Sequence, residues 1–394
     1  MALAPVGTTA AFAPVLSAFR RLVDTRAGGG ALVVRMRGET VVDLCAGFAD
    51  RARTRPWRSD TVALSFSTSK GIASTVIHRL AERGLLAYDD PVAKHWPEFA
   101  DGHKGTVTVR DLLSHRAGLS SVQAVAERAE DLLDHIEMEE RLAARQVRAP
   151  TTRSAYHALT YGWLLAGLAR RVTGRGLAEL AQTEVVEPLG ITGMTIGVPA
   201  EAREFVAQPV GPGLRQVESM TRFLTPLTGR VRAGRAAYEA LVVPGFHRLF
   251  EGDEPPIWTT EMPAVNGAFS AEALARMYAA LANGGSDEGR TLLAPETVRE
   301  LGRVQVRSPD VVLGIRMRWR LGYHQALGTG REGPRAFGHY GYGGSGGWAD
   351  PDLGLSLGYV TNRIGSMTTP IADLTLMRLS RVVHRCAQQA AGRA

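Results

Sequence analysis

"LSFSTSKGIAS", residues 64–74, is the stretch that decides the fold of this 394-residue chain. Its lysine is unusual, because among the 46 basic residues only Lys70, Lys94 and Lys104 are lysine and the rest are arginine. Such a bias is typical of a GC-rich genome, in which arginine replaces lysine wherever either cation will serve. A guanidinium group does not give up its proton in a protein, whereas an amine can. Lys70 is therefore a candidate base.

Ser67 stands three residues before Lys70 at the predicted start of a helix. Residues three apart lie on the same helix face, so the amine of Lys70 is predicted to lie beneath the Ser67 hydroxyl. A desolvated lysine can take the proton of a serine nucleophile, and the Ser67 N–H can help to stabilise an oxyanion. The alternative is that Ser65, Ser67 or Thr68 only caps the helix and Lys70 is solvated.

Composition limits the class of protein. Hydrophobic residues make up 45% and charged residues 22%, which is typical of a soluble globular protein, and the length predicts one unit of two lobes. The first residues lack a basic segment followed by an apolar one, and no apolar run could span a membrane, so we expect a cytoplasmic protein. The net charge of +7 is scattered along the chain and predicts no nucleic-acid partner. Cys45 and Cys386 show neither disulfide nor metal-site spacing.

The hydrophobic pattern predicts helices and strands in a definite order. Helices are predicted at 12–27, 71–84, 270–285 and 371–390, a hairpin at 31–50, strand-like runs at 311–323, 335–340 and 353–362, and a mainly helical region at 107–260. Because strands occur at both ends of the chain, we expect the termini to pair in one sheet. Residues 1–62 and 263–394 would form an α/β lobe and residues 63–262 an inserted helical lobe, with the active site between them.

The opening stretch and three further ones support a family resemblance. "SFSTSKGIAS" (65–74), "GLLAYDDPVAKHWPEF" (84–99), "VTVRDLLSHRAGL" (107–119) and "EPLGITGMTIGVP" (187–199) resemble the serine β-lactamase-like superfamily. The resemblance is closest to the class C branch and the family VIII carboxylesterases, and it runs from about residue 30 to 390. It implies an α+β fold of the β-lactamase/transpeptidase type, in which an antiparallel sheet is flanked by helices and carries a mostly helical insertion.

The resemblance also implies a second motif, Tyr-x-Asn or a variant, whose tyrosine assists proton transfer. Tyr156-His157-Ala158 matches its tyrosine, but Ala158 stands where the lactamase asparagine would be. A phenol beside Lys70 could pass the serine proton to a leaving group. The alternative is that Tyr156 is an ordinary half-buried tyrosine. Tyr161 lies too far along the helix to replace it.

His339-Tyr340-Gly341 resembles the family's third motif, Lys-Thr-Gly on an edge strand. Gly341 would let substrate approach the strand, and the N–H of Tyr342 would be the second oxyanion donor. His339 replaces the lysine that would anchor a lactam carboxylate, so good β-lactamase activity is not expected. His339 could instead be a structural histidine.

Two other patterns in the sequence do not indicate a functional site. "GGSGG" at 343–347 fits a nucleophile elbow, with Ser345 followed by Asp350 or Asp352 and then His384, but no helix and too few strands follow it. The histidines lack metal-ligand spacing, so neither a metal nor another cofactor is predicted.

We therefore expect a serine hydrolase, specifically a carboxylesterase, that cleaves small esters through an acyl-Ser67 intermediate. Three alternatives remain: an acyltransferase of secondary metabolism with the same acyl-enzyme, a β-lactamase, and a catalytically silent binding module on this fold. Neither the acyl and alcohol specificity nor the oligomeric state can be inferred from the sequence.

Overall fold

The computed structural model describes residues 4–23, 25, 28–147, 152–211, 232–329, 335–364 and 374–392. The strands in chain order are β1 (Ala4–Thr8), β2 (Gly29–Met36), β3 (Glu39–Gly47), β4 (Ala63–Leu64), β5 (Met194–Ile196), β6 (Gly267–Phe269), β7 (Ser286–Asp287), β8 (Arg290–Thr291), β9 (His324–Gln325), β10 (Phe337–Tyr340), β11 (Gly346–Asp350) and β12 (Leu355–Thr361).

The α-helices complete the element list. They are α1 (Ala13–Leu22), α2 (Ser69–Glu82), α3 (Val92–His95), α4 (Val109–Leu113), α5 (His135–Ala144), α6 (Thr160–Thr173), α7 (Leu177–Ala181), α8 (Glu187–Leu189), α9 (Arg232–Leu241), α10 (Ala271–Ala282), α11 (Pro295–Leu301) and α12 (Thr375–Ala391). Short 3-10 turns connect several of them, and the turn Phe66–Thr68 leads directly into α2.

A seven-stranded antiparallel sheet joins both ends of the chain, in the order β1-β3-β2-β12-β11-β10-β9. The central pairing is between β2 and β12, where Gly30 lies opposite Thr361. The predicted α+β class, with an antiparallel sheet flanked by helices, is confirmed. The lobe boundaries at residues 62 and 263 stay a prediction.

Helices cover both faces of this sheet because its strands are apolar on both sides. On one face α1 and α12 pack together over the sheet, with Phe19 and Leu379 in the same buried cluster as Trp348 of β11. On the other face α10 lies so close to β12 that a Cβ on Gly358 would be 2.2 Å from the Ala271 carbonyl oxygen. A second, three-stranded sheet (β4-β6-β5) leads into the turn before α2. Within the described residues, no helix is long and apolar enough to cross a membrane.

One predicted strand is wrong. Residues 311–323 form a loop, and the strand near them is the two-residue β9. The pattern misleads because the apolar residues Met317, Trp319 and Leu321 alternate in the sequence as in a strand, while the backbone bends instead of pairing. Ser308-Pro309-Asp310 is a turn-type sequence that argues against a strand starting at residue 311.

The other elements differ mainly at their ends. The first helix ends at Leu22 rather than residue 27, because Val23 has an extended backbone; residues 24, 26 and 27 lie outside the described part. The closing helix begins at Thr375, and residues 371–373 of the prediction are likewise not described. Strands β1 and β11 were not predicted. The glycines of β11 hide it from a pattern search, and Gly347 is needed there because a Cβ would lie 2.6 Å from the Tyr278 ring.

Candidate active site

Ser67 lies in the 3-10 turn before α2, two residues before the first residue of the α-helix. Within residues 61–78 it is the one residue that is not buried, so its hydroxyl alone can meet a substrate. The preceding Phe66 has a φ of 47°, an uncommon backbone conformation for a bulky residue. Ser69 holds this turn, since its hydroxyl donates to the Phe66 carbonyl at 2.5 Å and accepts from the Gly267 N–H at 2.8 Å.

The amine of Lys70 is fully buried, with 0% of the residue exposed. Its Nζ lies 3.0 Å from Ser67 Oγ, 2.7 Å from the Ala158 carbonyl oxygen and 3.1 Å from the Ala264 carbonyl oxygen. Desolvation lowers the pKa of Lys70 well below its ordinary value, which favours the neutral amine. A neutral amine has two N–H groups, and the two carbonyls accept both of them. Its lone pair is then left facing the Ser67 hydroxyl.

The Tyr156 hydroxyl donates to Ser67 Oγ at 2.8 Å. Burial raises the pKa of Tyr156, although the hydrogen bond to Ser67 opposes this rise, so the phenol stays protonated. A neutral amine and a neutral phenol fix the direction of the hydrogen bonds: Tyr156 donates to Ser67, and Ser67 donates to Lys70. The arrangement therefore provides a base on one side of the nucleophile and an acid on the other.

The segment that carries Tyr156 and Ala158 is held by residues far along the chain. The Asp310 carboxylate accepts the Tyr156 N–H at 3.0 Å, and the His115 carbonyl accepts the Ala155 N–H at 2.9 Å. Trp319 stacks on the Tyr156 ring, with centroids 5.5 Å apart and an interplanar angle of 11°. Asp310, His115 and Trp319 were not found by the sequence reasoning, because no local pattern links them to Tyr156.

The Ala264 carbonyl is positioned from the opposite side. Asn266 is fully buried and accepts the Met262 N–H at 3.2 Å, while its amide donates to the carbonyls of Ile257 and Thr260. These bonds hold the turn that aims the Ala264 oxygen at Lys70. No sequence motif pointed to this turn.

His339 lies in β10, buried against α2. Desolvation, together with His324 and Lys70, lowers the pKa of His339 well below its ordinary value, so its imidazole is neutral. Its Nε2 has no hydrogen-bond partner among the described residues. His339 thus does not present the permanent cation of the motif it resembles.

Gly341 and Tyr342 lie where β10 meets the turn that carries Ser67. A Cβ on Gly341 would be 2.0 Å from the Ser65 carbonyl oxygen, so this glycine is required by the approach of the strand to the turn. The sequence reasoning expected a close approach of substrate instead. Tyr342 packs edge-on against Phe66, with centroids 5.7 Å apart. Among the described residues, no hydrogen-bond acceptor is recorded for the backbone N–H groups of Ser67 and Tyr342, and their role as oxyanion donors stays a prediction.

The residues of the nucleophile-elbow pattern, and Tyr161, make hydrogen bonds away from Ser67. The Ser345 hydroxyl accepts the Thr361 N–H at 3.1 Å and is buried. Asp350 and His384 do pair, at 3.0 Å, but at the far end of β11 from Ser345. The Tyr161 hydroxyl bonds to Ser74 at 2.7 Å. In the described part of the chain no three His, Cys, Asp or Glu side chains are grouped as a metal site.

Comparisons with known proteins identify the family of the chain. A family model described as beta-lactamase matches residues 15–381. The esterase/beta-lactamase LipL of Mycobacterium tuberculosis is 41% identical over 383 residues, covering 96% of this chain and 87% of that protein. The crystal structure of a family VIII carboxylesterase has a TM-score of 0.84 at 34% identity, covering 98% of this chain and 100% of the other.

A penicillin-binding protein homologue from Caulobacter crescentus has a TM-score of 0.83 at 32% identity, covering 98% of this chain and 100% of that chain. The monacolin J acid methylbutanoyltransferase of Aspergillus terreus is 28% identical over 224 residues, covering 48% of this chain and 54% of that protein. The chain belongs to the beta-lactamase family and is a serine hydrolase of that superfamily.

Proposed function

We propose that the protein is a carboxylesterase that cleaves small esters through an acyl-enzyme on Ser67. The observation that carries this proposal is the chain of hydrogen bonds from Tyr156 through Ser67 to Lys70, with distances of 2.8 and 3.0 Å. In this series of hydrogen bonds the nucleophile lies between a neutral base and a neutral acid. Cleavage of an ester requires both groups.

In the first step the Ser67 oxygen attacks the ester carbonyl carbon and its proton passes to Lys70 Nζ. The carbonyl π electrons move to the oxygen, and the N–H groups of Ser67 and Tyr342 donate to that oxyanion. When the tetrahedral intermediate collapses, the bond to the alcohol oxygen breaks and Tyr156 gives its proton to that oxygen. Tyr156 regains a proton from the Lys70 ammonium, so the net change moves one proton from Ser67 to the released alcohol.

Deacylation reverses the roles with water in place of the alcohol. Lys70, neutral again, accepts a proton from the attacking water, and the Ser67 oxygen leaves with a proton supplied through Tyr156. The acid product departs, and the resting hydrogen bonds are restored.

The surroundings of His339 favour neutral esters over β-lactams. A lactam carboxylate would need a cation at this edge of the sheet, whereas His339 is buried and neutral. We therefore expect nitrocefin, a chromogenic cephalosporin, to be hydrolysed far more slowly than simple esters.

The proposal is tested by assaying p-nitrophenyl butyrate, short alkyl esters and nitrocefin with the native protein and with Ser67→Ala. We expect Ser67→Ala to abolish ester turnover, because the nucleophile is lost and only weak stabilisation of the oxyanion remains. A fluorophosphonate probe should label the native protein at Ser67, as located by mass spectrometry of the tryptic peptides. Ser345→Ala is the matched control, since Ser345 is the other serine in a nucleophile-like pattern, and it should keep both labelling and turnover. Retained turnover in Ser67→Ala would refute the assignment.

Acyl transfer is the second candidate, because the site would hold the same acyl-enzyme and one matching relative is named as a methylbutanoyltransferase. Product analysis with and without an added primary alcohol separates the two. A carboxylesterase yields mainly the free acid in both cases, whereas an acyltransferase converts most of the acyl group to the new ester.

A further inference from the structure

We propose that Asp310 is a positioning residue for this reaction: it fixes Tyr156 where the phenol can protonate the departing alcohol. The proposal rests on the proposed function, since it gives a role to a residue that supports the Tyr156–Ser67–Lys70 chain. Asp310 itself contacts neither Ser67 nor Lys70 in the described structure.

Asp310 is buried, with 1% of the residue exposed. Its Oδ1 accepts three backbone N–H groups, those of Tyr156 at 3.0 Å, Val312 at 2.9 Å and Leu313 at 3.1 Å. Its Oδ2 accepts the indole N–H of Trp319 at 2.9 Å. One carboxylate therefore ties together the backbone of Tyr156, its own turn and a tryptophan.

Trp319 also restrains Tyr156, through contact with its ring. Trp319 stacks flat against the Tyr156 ring, while His115 meets that ring edge-on with centroids 5.1 Å apart. His115 also packs edge-on against Trp319 at 4.2 Å. Asp310 thus fixes Tyr156 twice, once through its backbone N–H and once through the ring that lies on it.

The chemistry of Asp310 differs from that of an ordinary structural residue. Its four donors are uncharged N–H groups, and no cation of the described residues pairs with it, so its charge is buried without a counter-charge, which is costly. Its negative charge also adds to the effect of burial in raising the pKa of Tyr156. A carboxylate in this place keeps the phenol both located and protonated, which are the two properties that a proton donor needs.

This role predicts a dependence on the leaving group that a loss of stability alone would not produce. p-Nitrophenoxide is a stable anion that departs without a proton, whereas ethoxide must be protonated as it leaves. A variant with a misplaced Tyr156 should therefore lose little activity on a p-nitrophenyl ester and much on the ethyl ester of the same acid.

The experiment measures kcat/KM for p-nitrophenyl butyrate and ethyl butyrate in the native protein, Tyr156→Phe, Asp310→Asn, Trp319→Phe and Asp350→Asn. Asp310→Asn keeps the oxygen that faces Tyr156 but presents an amide N–H to the Trp319 N–H. Trp319→Phe keeps a stacking ring and removes one hydrogen bond. Asp350→Asn is the matched control, because Asp350 is an equally buried carboxylate that is hydrogen-bonded to His384.

We expect Asp310→Asn to lose about 100-fold on the ethyl ester and under about 10-fold on the p-nitrophenyl ester. Trp319→Phe should show the same pattern, with a smaller ratio between the loss on the ethyl ester and the loss on the p-nitrophenyl ester. Thermal unfolding checks that each variant folds, and if Asp310→Asn does not fold, Trp319→Phe decides the test. Asp350→Asn should change both esters equally. Equal losses on the two esters in Asp310→Asn, or in Trp319→Phe where that variant decides, would overturn the role of Asp310.

The controls separate this failure from failure of the proposed function. If the native protein hydrolyses neither ester and a fluorophosphonate probe does not label Ser67, the esterase proposal fails. If the native protein is active but Tyr156→Phe loses equally on both esters, Tyr156 is not the proton donor and the role of Asp310 falls with it.

Discussion

Lys70 and Lys104 are two buried lysines with similar immediate surroundings, and each is 0% exposed. Each amine donates to two backbone carbonyls, Ala158 and Ala264 for Lys70, Asp101 and Arg145 for Lys104. Each also lies over an aromatic ring, at 5.1 Å for Lys70 over Tyr156 and 5.2 Å for Lys104 over Phe99. The carbonyls and the ring are therefore not what distinguishes a base from a structural lysine.

The difference lies in what else is nearby. Desolvation lowers the pKa of both lysines. At Lys104 the Asp101 carboxylate opposes this effect. At Lys70 desolvation acts alone, and the pKa falls well below its ordinary value. Lys70 also has a hydroxyl, that of Ser67, on its remaining side. Burial without a nearby carboxylate, together with a hydroxyl that can give up its proton, makes the amine a base.

The largest expected difference is in the response to arginine. Lys70→Arg should lower kcat/KM on p-nitrophenyl butyrate by about 1,000-fold, because a guanidinium stays charged and cannot accept the serine proton. Lys104→Arg should stay within about threefold of the native protein, since it is a change at a site outside the catalytic chain. The comparison fails if Lys70→Arg remains active or if both variants lose activity alike.

A second test uses the pH dependence of the rate. Lys70 must be neutral to act as a base, so kcat/KM on a neutral ester should fall by about tenfold per pH unit below the lowered pKa of Lys70. Because burial raises the pKa of Tyr156, no loss from phenol ionisation is expected up to pH 10. The acidic limb should be the same in Lys104→Met. A rate that rises as the pH falls would contradict a neutral lysine base.

The smallest expected effect is on the pH dependence of stability. With its pKa lowered, native Lys70 binds fewer protons than in the unfolded chain between its native and unfolded pKa values, so stability rises with pH in that window. Lys70→Met removes this contribution. The unfolding temperature of the native protein should therefore increase relative to that of Lys70→Met as the pH rises toward 10. Lost hydrogen bonds to the two carbonyls shift the variant by a constant amount and do not affect the slope.

Lys104→Met is the matched control for that measurement. The pKa of Lys104 is also lowered, but less, because Asp101 stabilises its charge. We expect a shallower slope for Lys104→Met. Slopes of equal size would show that the Asp101 carboxylate does not separate the two lysines.

The part of the site that could be predicted from sequence is the part that is local. Ser67 and Lys70 are one helical turn apart, so spacing alone indicates that they meet. Tyr156 was reached through its resemblance to a family motif, and its hydroxyl does lie 2.8 Å from Ser67 Oγ. Its role, like those of His339 and Tyr342, stays a prediction until the variants are assayed.

The remainder depends on contacts between distant segments. The carbonyls that orient Lys70 lie 88 and 194 residues from it along the chain, and any residue has a carbonyl, so no side-chain pattern marks them. Asp310 was missed for a related reason: the alternating apolar residues after it were interpreted as a strand, although they are buried by packing within a loop. The sheet was predicted correctly in outline because strand propensity at both ends of the chain leaves few other pairings.

The pairing of β2 with β12 has a consequence for biosynthesis. Gly30 of β2 is synthesised long before Thr361 of β12, so the two strands can pair only after the later one has been made. Tyr342, whose N–H is the second proposed oxyanion donor, lies in the loop between β10 and β11, on the far side of β12 from β2. A nascent chain can therefore carry Ser67 and Lys70 long before the central pairing of the sheet can form. Contacts between such distant segments slow folding, so we expect the catalytic centre to be completed only after Thr361 has been synthesised.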